Sequence, residues 1–422
     1  MNTPTASRDD AGLVRHGSLL MAGSLAAALC NAGFHMVVGR TLPNAEYGAL
    51  VAMLGLVLVA GTPMQAVQNM LAHFISMHAR QGRQGEIRPF FMHWIRLFAG
   101  LSAGIVFAAF VLRVPLADFW RGIEPRLVAL AFAVLAASLW MNLFYGLLQG
   151  VQAFAWLAWA PLAWGATRLA LGWGLTALVS ATAVAALGAQ GLGVLAVLGM
   201  CLWAMHRMHL PHAPAPGHPP GAYRYLGSSL ACLAGFAALM NLDTTLAKHF
   251  FNAETAGLFA KAATIARTAV FLPVPIAAAL FPKVASTGEL TEDSWRLLGH
   301  ALAFAGACIA GIAGVCALFP ELPWTILYGA PAAESAPAAA FLTRALVLAM
   351  SPLALAYLLL NFEMAQRRFF WCFGLVPCAL AYVGGVALFH ARPAQLAVVL
   401  GAANMVAVLW LAAGIATQRR RA

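Results

Sequence analysis

Long apolar blocks, separated by short polar breaks, run through almost the whole sequence. Many of them reach the ~20 residues a helix needs to cross a bilayer. Within lipid, backbone N–H and C=O groups have no water to bond. Only helices, which bond internally, and closed barrels can therefore span. Barrel strands alternate apolar and polar residues, and these blocks do not. The composition agrees: 62% of residues are hydrophobic and 9% charged, where soluble domains carry about 25% charged residues. The pattern predicts an all-α integral membrane protein of about 12 transmembrane helices. The spans are expected at 17–38, 48–72, 92–112, 126–149, 154–177, 181–204, 226–248, 256–281, 297–319, 338–361, 368–389 and 394–416. The fifth and sixth are the hardest to separate, because apolar sequence continues from Phe154 to Met205. The polar start, Met1 to His16, leads into a full-length span, which reads as a retained first helix.

The formal charge of +11 would suggest nucleic acid in a soluble protein. Here the basic residues sit mostly in breaks on one side, which is a topology signal. With both termini in the cytoplasm, fifteen basic residues fall inside and six outside. The positive-inside rule therefore favours that orientation, and no nucleic-acid partner is expected. The seven cysteines lie within apolar segments and include no Cys-x-x-Cys pair. They read as small buried hydrophobes rather than disulfides or a zinc site.

One break differs from the others. His206 to Tyr225 holds five prolines and four histidines, the composition of an extended tether. The histidines lack acidic or cysteine companions, so a solvated linker is preferred to a metal site, and no metal is expected. The linker divides the chain into an N-lobe (1–204), a cytoplasmic linker (205–225) and a C-lobe (226–422). The lobes also share a weak repeat. Gly17-Ser18, Leu20, Ala27-Ala28-Leu29 and Asn31 recur as Gly227-Ser228, Leu230, Ala237-Ala238-Leu239 and Asn241. Asn44-Ala45-Glu46 and Gly48 recur as Asn252-Ala253-Glu254 and Gly257, and Pro63 recurs as Pro273. Six spans per half implies two pseudo-symmetric six-helix lobes related by an axis along the membrane normal. That is a transporter architecture, with the substrate path expected between the lobes.

No enzyme constellation is present: there is no phosphate-binding loop, nucleophile elbow or His-Glu-x-x-His. The informative residues are charges within spans, where each costs about 2.5–3.5 kcal/mol and usually faces a cavity or a partner. Arg168, Lys261, Arg267 and Arg344 lie in helices five, eight and ten, while Arg40, Asp243 and Lys248 lie in the outer halves or at the ends of helices one and seven. One reading makes Arg40, Arg168, Lys261 and Arg267 an electropositive chamber for an anionic substrate. The other pairs Arg267 or Lys248 with Asp243 to hold helices together, with end charges reaching the interface. Asp243, the only carboxylate expected deep in a span, is also a candidate for proton or sodium coupling; no other cofactor is expected. Polar residues such as Asn31, Gln65, Gln68, Asn69, Asn142, Gln149, Gln152 and Asn404 suit sugar hydroxyls or bonds between helices. Pro63 and Pro273 occupy matching places in helices two and eight. Their kinks serve either gating or packing.

Gly39-Arg40-Thr41-Leu42-Pro43-Asn44-Ala45-Glu46-Tyr47-Gly48 resembles the first external loop of polysaccharide flippases. These belong to the multidrug/oligosaccharidyl-lipid/polysaccharide exporter superfamily. Asn241-Leu242-Asp243, Lys248, Glu254-Thr255-Ala256-Gly257 and Leu280-Phe281-Pro282 resemble the start of the second lobe there. Gly146-Leu147-Leu148-Gln149-Gly150 extends the likeness to the end of helix four. The resemblance implies a flippase carrying undecaprenyl-diphosphate-linked oligosaccharide across the bacterial inner membrane by alternating access. Polysaccharide polymerases and glycosyltransferases are the implied partners, together with membrane lipids. Asp243 resembles the helix-seven carboxylate with which lipid II flippases bind sodium, but the expected helices eleven and twelve contain no carboxylate to join it. A drug/cation antiporter of the same superfamily is the nearest alternative and should prefer acidic cavities. A major facilitator would carry a Gly-x-x-x-Asp-Arg-x-Gly-like turn after helix two, and His73 to Gln84 lacks one. A membrane scaffold or transferase of glycan assembly would not need intramembrane arginines.

Overall fold

A computed structural model describes residues 6–208, 222–271, 292–331, 335–366 and 368–419. Among these the chain is all α-helical, without strands: α1 (Ala6–Thr41), α2 (Asn44–Gly61), α3 (Gln65–Arg80), α4 (Ile87–Phe119), α5 (Pro125–Gly150), α6 (Phe154–Leu178), α7 (Ala183–Met208), α8 (Ala222–Phe250), α9 (Ala253–Phe271), α10 (Glu292–Leu318), α11 (Glu321–Tyr328), α12 (Ala336–Ala365), α13 (Phe369–Phe373), α14 (Leu375–Leu388) and α15 (Pro393–Arg419).

Among the described residues, helix is found in every expected span, and nine stretches are long and apolar enough to cross a membrane. The first of the nine, Asn44–Arg80, is bent: Thr62–Met64 forms a 3-10 turn between α2 and α3. α6 and α9 fall outside the nine, and they are the helices that carry Arg168, Lys261 and Arg267. The doubtful fifth boundary falls at 179–182, where α6 stops and α7 begins. The proline-rich segment 209–221 lies outside the described residues, as do 272–291 with Pro273. The break expected at 320–337 contains a two-turn helix, α11. It is anchored by Trp324, whose indole N–H donates to Thr343 Oγ1 at 2.7 Å.

The described residues form two compact units. The first comprises the stretch ending at Thr41, Met64–Val114 and Pro125–Leu226. In it α6 packs on α1 and α7, and α5 packs on α3 and α7. Between lipid-embedded helices there is little hydrophobic gain, so close approach through small residues drives packing. Gly146 meets the Gln68 backbone of α3, where an added Cβ would come within 2.8 Å of the carbonyl oxygen. Gly165 and Gly172 of α6 receive α1 at Ala27 and Phe34.

The second unit comprises Leu42–Pro63, Pro115–Glu124 and Gly227–Ala422. The division between the units thus falls at Pro63 and Met64, inside the 3-10 turn. Within the second unit α2 packs along α9, and α12 packs on α9, α10 and α15. The repeated loop motifs meet each other here. Asn44 of the first copy donates its amide to Glu254 of the second. The two repeat glycines also touch, since a Cβ on Gly48 would lie 2.8 Å from the Gly257 nitrogen. Further along, Gly55 admits the Asn241 carbonyl of α8, while Thr245 Oγ1 donates to Ala52 O at 2.9 Å. α2 is therefore clamped between α8 and α9 by the repeat residues Asn44, Gly48, Asn241, Glu254 and Gly257, together with Gly55 and the Thr245 hydroxyl.

Candidate functional site

The charged residues of the spans divide by what the facing helix offers them. Asp243 on α8 is fully buried, and Arg267 on α9 donates to it. Arg267 Nε also donates to the Met240 carbonyl at 3.2 Å. The two charges cancel locally, so Arg267 adds no net positive potential. Lys248 is buried nearby on α8 but forms no ion pair among the described residues. Of the two cations weighed as partners for Asp243, the arginine takes the place, and its planar guanidinium with several donors suits that role.

Arg168 lies in the first unit, 3% exposed on α6. Its guanidinium sits 3.8 Å from the centre of the Phe34 ring and 5.2 Å from that of Trp164. It also donates to the Asn31 side chain of α1. Three partners thus fix it between α1 and α6. Asn31, one of the repeated residues, serves here as the arginine's acceptor.

Lys261 on α9 is held differently. It is half-buried, and its ammonium lies 5.8 Å from the centre of the Tyr47 ring and 5.3 Å from that of Tyr328. The two phenol oxygens are 3.2 Å apart, and Tyr47 also donates to Thr264 Oγ1 at 3.2 Å. Tyr328 donates to the Lys261 backbone carbonyl at 3.3 Å, which ties α11 to α9. No carboxylate lies within ion-pairing distance of Lys261 among the described residues. Aromatic faces stabilise a cation without neutralising it, so this ammonium keeps a charge to offer an anion.

The remaining expected residues are spread out. Arg40 is exposed in the last turn of α1, and Arg344 is exposed, donating to the Ala317 carbonyl at 2.9 Å. Pro63 is buried in the 3-10 turn. Gln68 and Gln149 bond to each other at 3.1 Å, and Asn404 donates to Ala349 O at 2.8 Å. Of the eight polar side chains named for two roles, Asn31, Gln68, Gln149 and Asn404 bond between helices.

The structure adds a carboxylate that the sequence reading placed outside the membrane. α12 continues past its expected end at 361 and buries Glu363 completely. Among the described residues its nearest counter-charge is Arg368 at 3.8 Å, and neither carboxylate oxygen has a hydrogen bond. Asp243 is thus not the only carboxylate buried in a span. The available signal was an acidic residue within one turn of an apolar block, followed by Arg367-Arg368.

Solved transporters of the multidrug/oligosaccharidyl-lipid/polysaccharide (MOP) superfamily share this all-helical fold. A multidrug resistance MATE family transporter of that superfamily in its inward-facing conformation aligns at a TM-score of 0.75 with 12% identity, over 93% of this chain and 96% of the other. The lipid II flippase MurJ in an inward closed conformation aligns at 0.70 with 12% identity, over 94% and 87%. A MOP superfamily transporter from Pyrococcus furiosus, reported with a binding pocket of reverse polarity, aligns at 0.63 with 16% identity, over 97% and 94%. No family model and no curated protein matches the sequence.

Proposed function

We propose that this chain is a flippase that carries polyprenyl-diphosphate-linked oligosaccharide across the bacterial inner membrane by alternating access, for cell-surface polysaccharide synthesis. The observation that carries the reading is Lys261, a cation within a membrane helix, cradled by Tyr47 and Tyr328 with no carboxylate paired to it among the described residues. An intramembrane charge that remains available is a functional residue by default, and a diphosphate is its natural complement. MurJ and MATE transporters share the fold, so the fold accommodates both a lipid-linked substrate and drugs. On this reading both termini are cytoplasmic, and glycosyltransferases and a polysaccharide polymerase act before and after the transport step. Arg40 and Arg168 then serve the substrate's path or its walls. The neutralised Arg267 holds α8 to α9.

Coupling to protons or sodium belongs to Asp243, whose second oxygen has no hydrogen bond. Using it requires the pair with Arg267 to open. The buried carboxylates Asp243 and Glu363 favour one second reading, a drug/cation antiporter, because acidic groups suit cationic cargo.

A deletion strain separates the two. The flippase reading expects lipid-linked oligosaccharide trapped in the inner leaflet and loss of surface glycan, both restored by the wild-type gene but not by Lys261→Gln expressed at the same level. Normal surface glycan combined with new sensitivity to lipophilic cations would replace the flippase with the antiporter.

A further inference from the structure

An apolar groove of about 460 Å³ runs along the second unit between α9, α10 and α11. Its walls include Ile265 and Thr268 of α9, Gly311, Ile312 and Val315 of α10, and Leu327 of α11. The size falls within the ~300–1,000 Å³ of small-molecule sites, yet the lining offers almost no polar group to orient a water-soluble ligand.

The groove's wall begins one helical turn from Lys261, at Ile265. Ile265 follows Lys261 by four residues, and Thr268 follows Ile265 by three, so the three side chains share one face of α9. Leu327 precedes Tyr328, whose hydroxyl binds the Lys261 carbonyl and whose ring lies under the ammonium. The contact between Tyr328 and the Lys261 carbonyl supplies the direction: the end of α10 and α11 lie beside the first half of α9. Lys261 is about 12 Å along α9 from its first residue, and Thr268 is about 10 Å further on at 1.5 Å per residue. A cation therefore stands toward the surface and an apolar channel leads from it toward the mid-plane. A lipid of the adjoining leaflet is arranged in the same order, with phosphate outward and chain inward.

We infer that this groove seats the isoprenoid chain of a polyprenyl phosphate or diphosphate carrier, with its phosphate at Lys261. The inference rests on the flippase reading for the choice of an isoprenoid carrier over an ordinary phospholipid. Because lipid tails are as apolar as the groove, the chain alone gives little preference. Selectivity comes from the ammonium and from the shape of the channel.

Gly311 provides a clean test, since an added Cβ there would have no atom within 4 Å. Gly311→Leu therefore projects into the channel from a Cβ that meets no neighbour. The full chain in detergent would be titrated with undecaprenyl phosphate under native mass spectrometry, with phosphatidylglycerol as competitor. Binding should weaken at least tenfold in Gly311→Leu and in Lys261→Gln. It should persist in Phe304→Ala, on the exposed face of α10, and in the presence of equimolar phosphatidylglycerol. Unchanged binding by Gly311→Leu, or displacement by phosphatidylglycerol, overturns the groove. The flippase reading fails separately: if the deletion strain traps no lipid-linked oligosaccharide while the groove still binds undecaprenyl phosphate, the site stands and the function does not.

Discussion

Removing the Asp243 carboxylate alone would leave the Arg267 guanidinium buried without a counter-charge. Breaking a buried pair from one side typically costs about 3–5 kcal/mol, whereas replacing both partners by apolar residues is often neutral. Asp243→Asn should therefore lower thermal stability in detergent sharply, and Asp243→Leu with Arg267→Met should restore most of it. If the double variant is stable and still transports, the pair is purely structural and coupling lies elsewhere. Arg168 makes a different demand, for a flat cation that stacks and donates at once. Arg168→Lys keeps the charge but loses the stack on Phe34 and Trp164, so a loss of about 1–2 kcal/mol is expected in a thermal melt. Charges within spans are legible in a sequence, because their insertion cost demands a reason. Their partners are less so. That Arg267 rather than Lys248 would meet Asp243 was one of two open pairings. The Tyr47 and Tyr328 cradle of Lys261 joins residues far apart in sequence and carried no signal at all.

At the level of helices, the sequence repeat had more structural meaning than its weak similarity suggested. Gly48 and Gly257, matched by position in the two halves, form a single close crossing of α2 and α9. A Cβ on Gly257 would collide with the Asn44 carbonyl, and backbone cannot step aside as a flexible side chain can. Gly257→Ala is accordingly expected to cost at least 1–3 kcal/mol, the range for overpacking. Gly306→Ala, on α10 with no atom within 4 Å of its added Cβ, should cause no loss. Equal melting temperatures for the two variants would dismiss the crossing. The helical content was readable because apolar length alone dictates it, and nine stretches of the described residues are long and apolar enough to cross a membrane. α11 was not, since eight residues in a polar break carry too little periodicity. The end of α12 was missed because helix ends set by packing extend past the apolar run, and that extension buried Glu363. Pro63 lies where the chain passes between the two units. Pro63→Ala should leave the melting temperature within about 1 kcal/mol of wild type in stability terms but slow transport if the bend gates. An unaltered transport rate would assign it to packing.

For the whole molecule, MATE transporters and the lipid II flippase MurJ share this fold, so cargo must be decided by its own assay. Topology can be checked first. In a cysteine-free background, Arg121→Cys should react with a membrane-impermeant thiol reagent on intact cells, and Arg83→Cys only after permeabilisation; both positions are exposed. The reverse pattern would invert the protein and move the Lys261 end of α9 to the cytoplasmic leaflet. Cargo itself is best tested in vesicles. The purified chain would be reconstituted with a fluorescent polyprenyl-diphosphate oligosaccharide, and a membrane-impermeant reductant would quench whatever reaches the outer leaflet. The account predicts that the protected inner-leaflet pool disappears with the wild-type chain and persists with Lys261→Gln. A protected pool as large as in protein-free vesicles, with a suitable ion gradient applied, would contradict it.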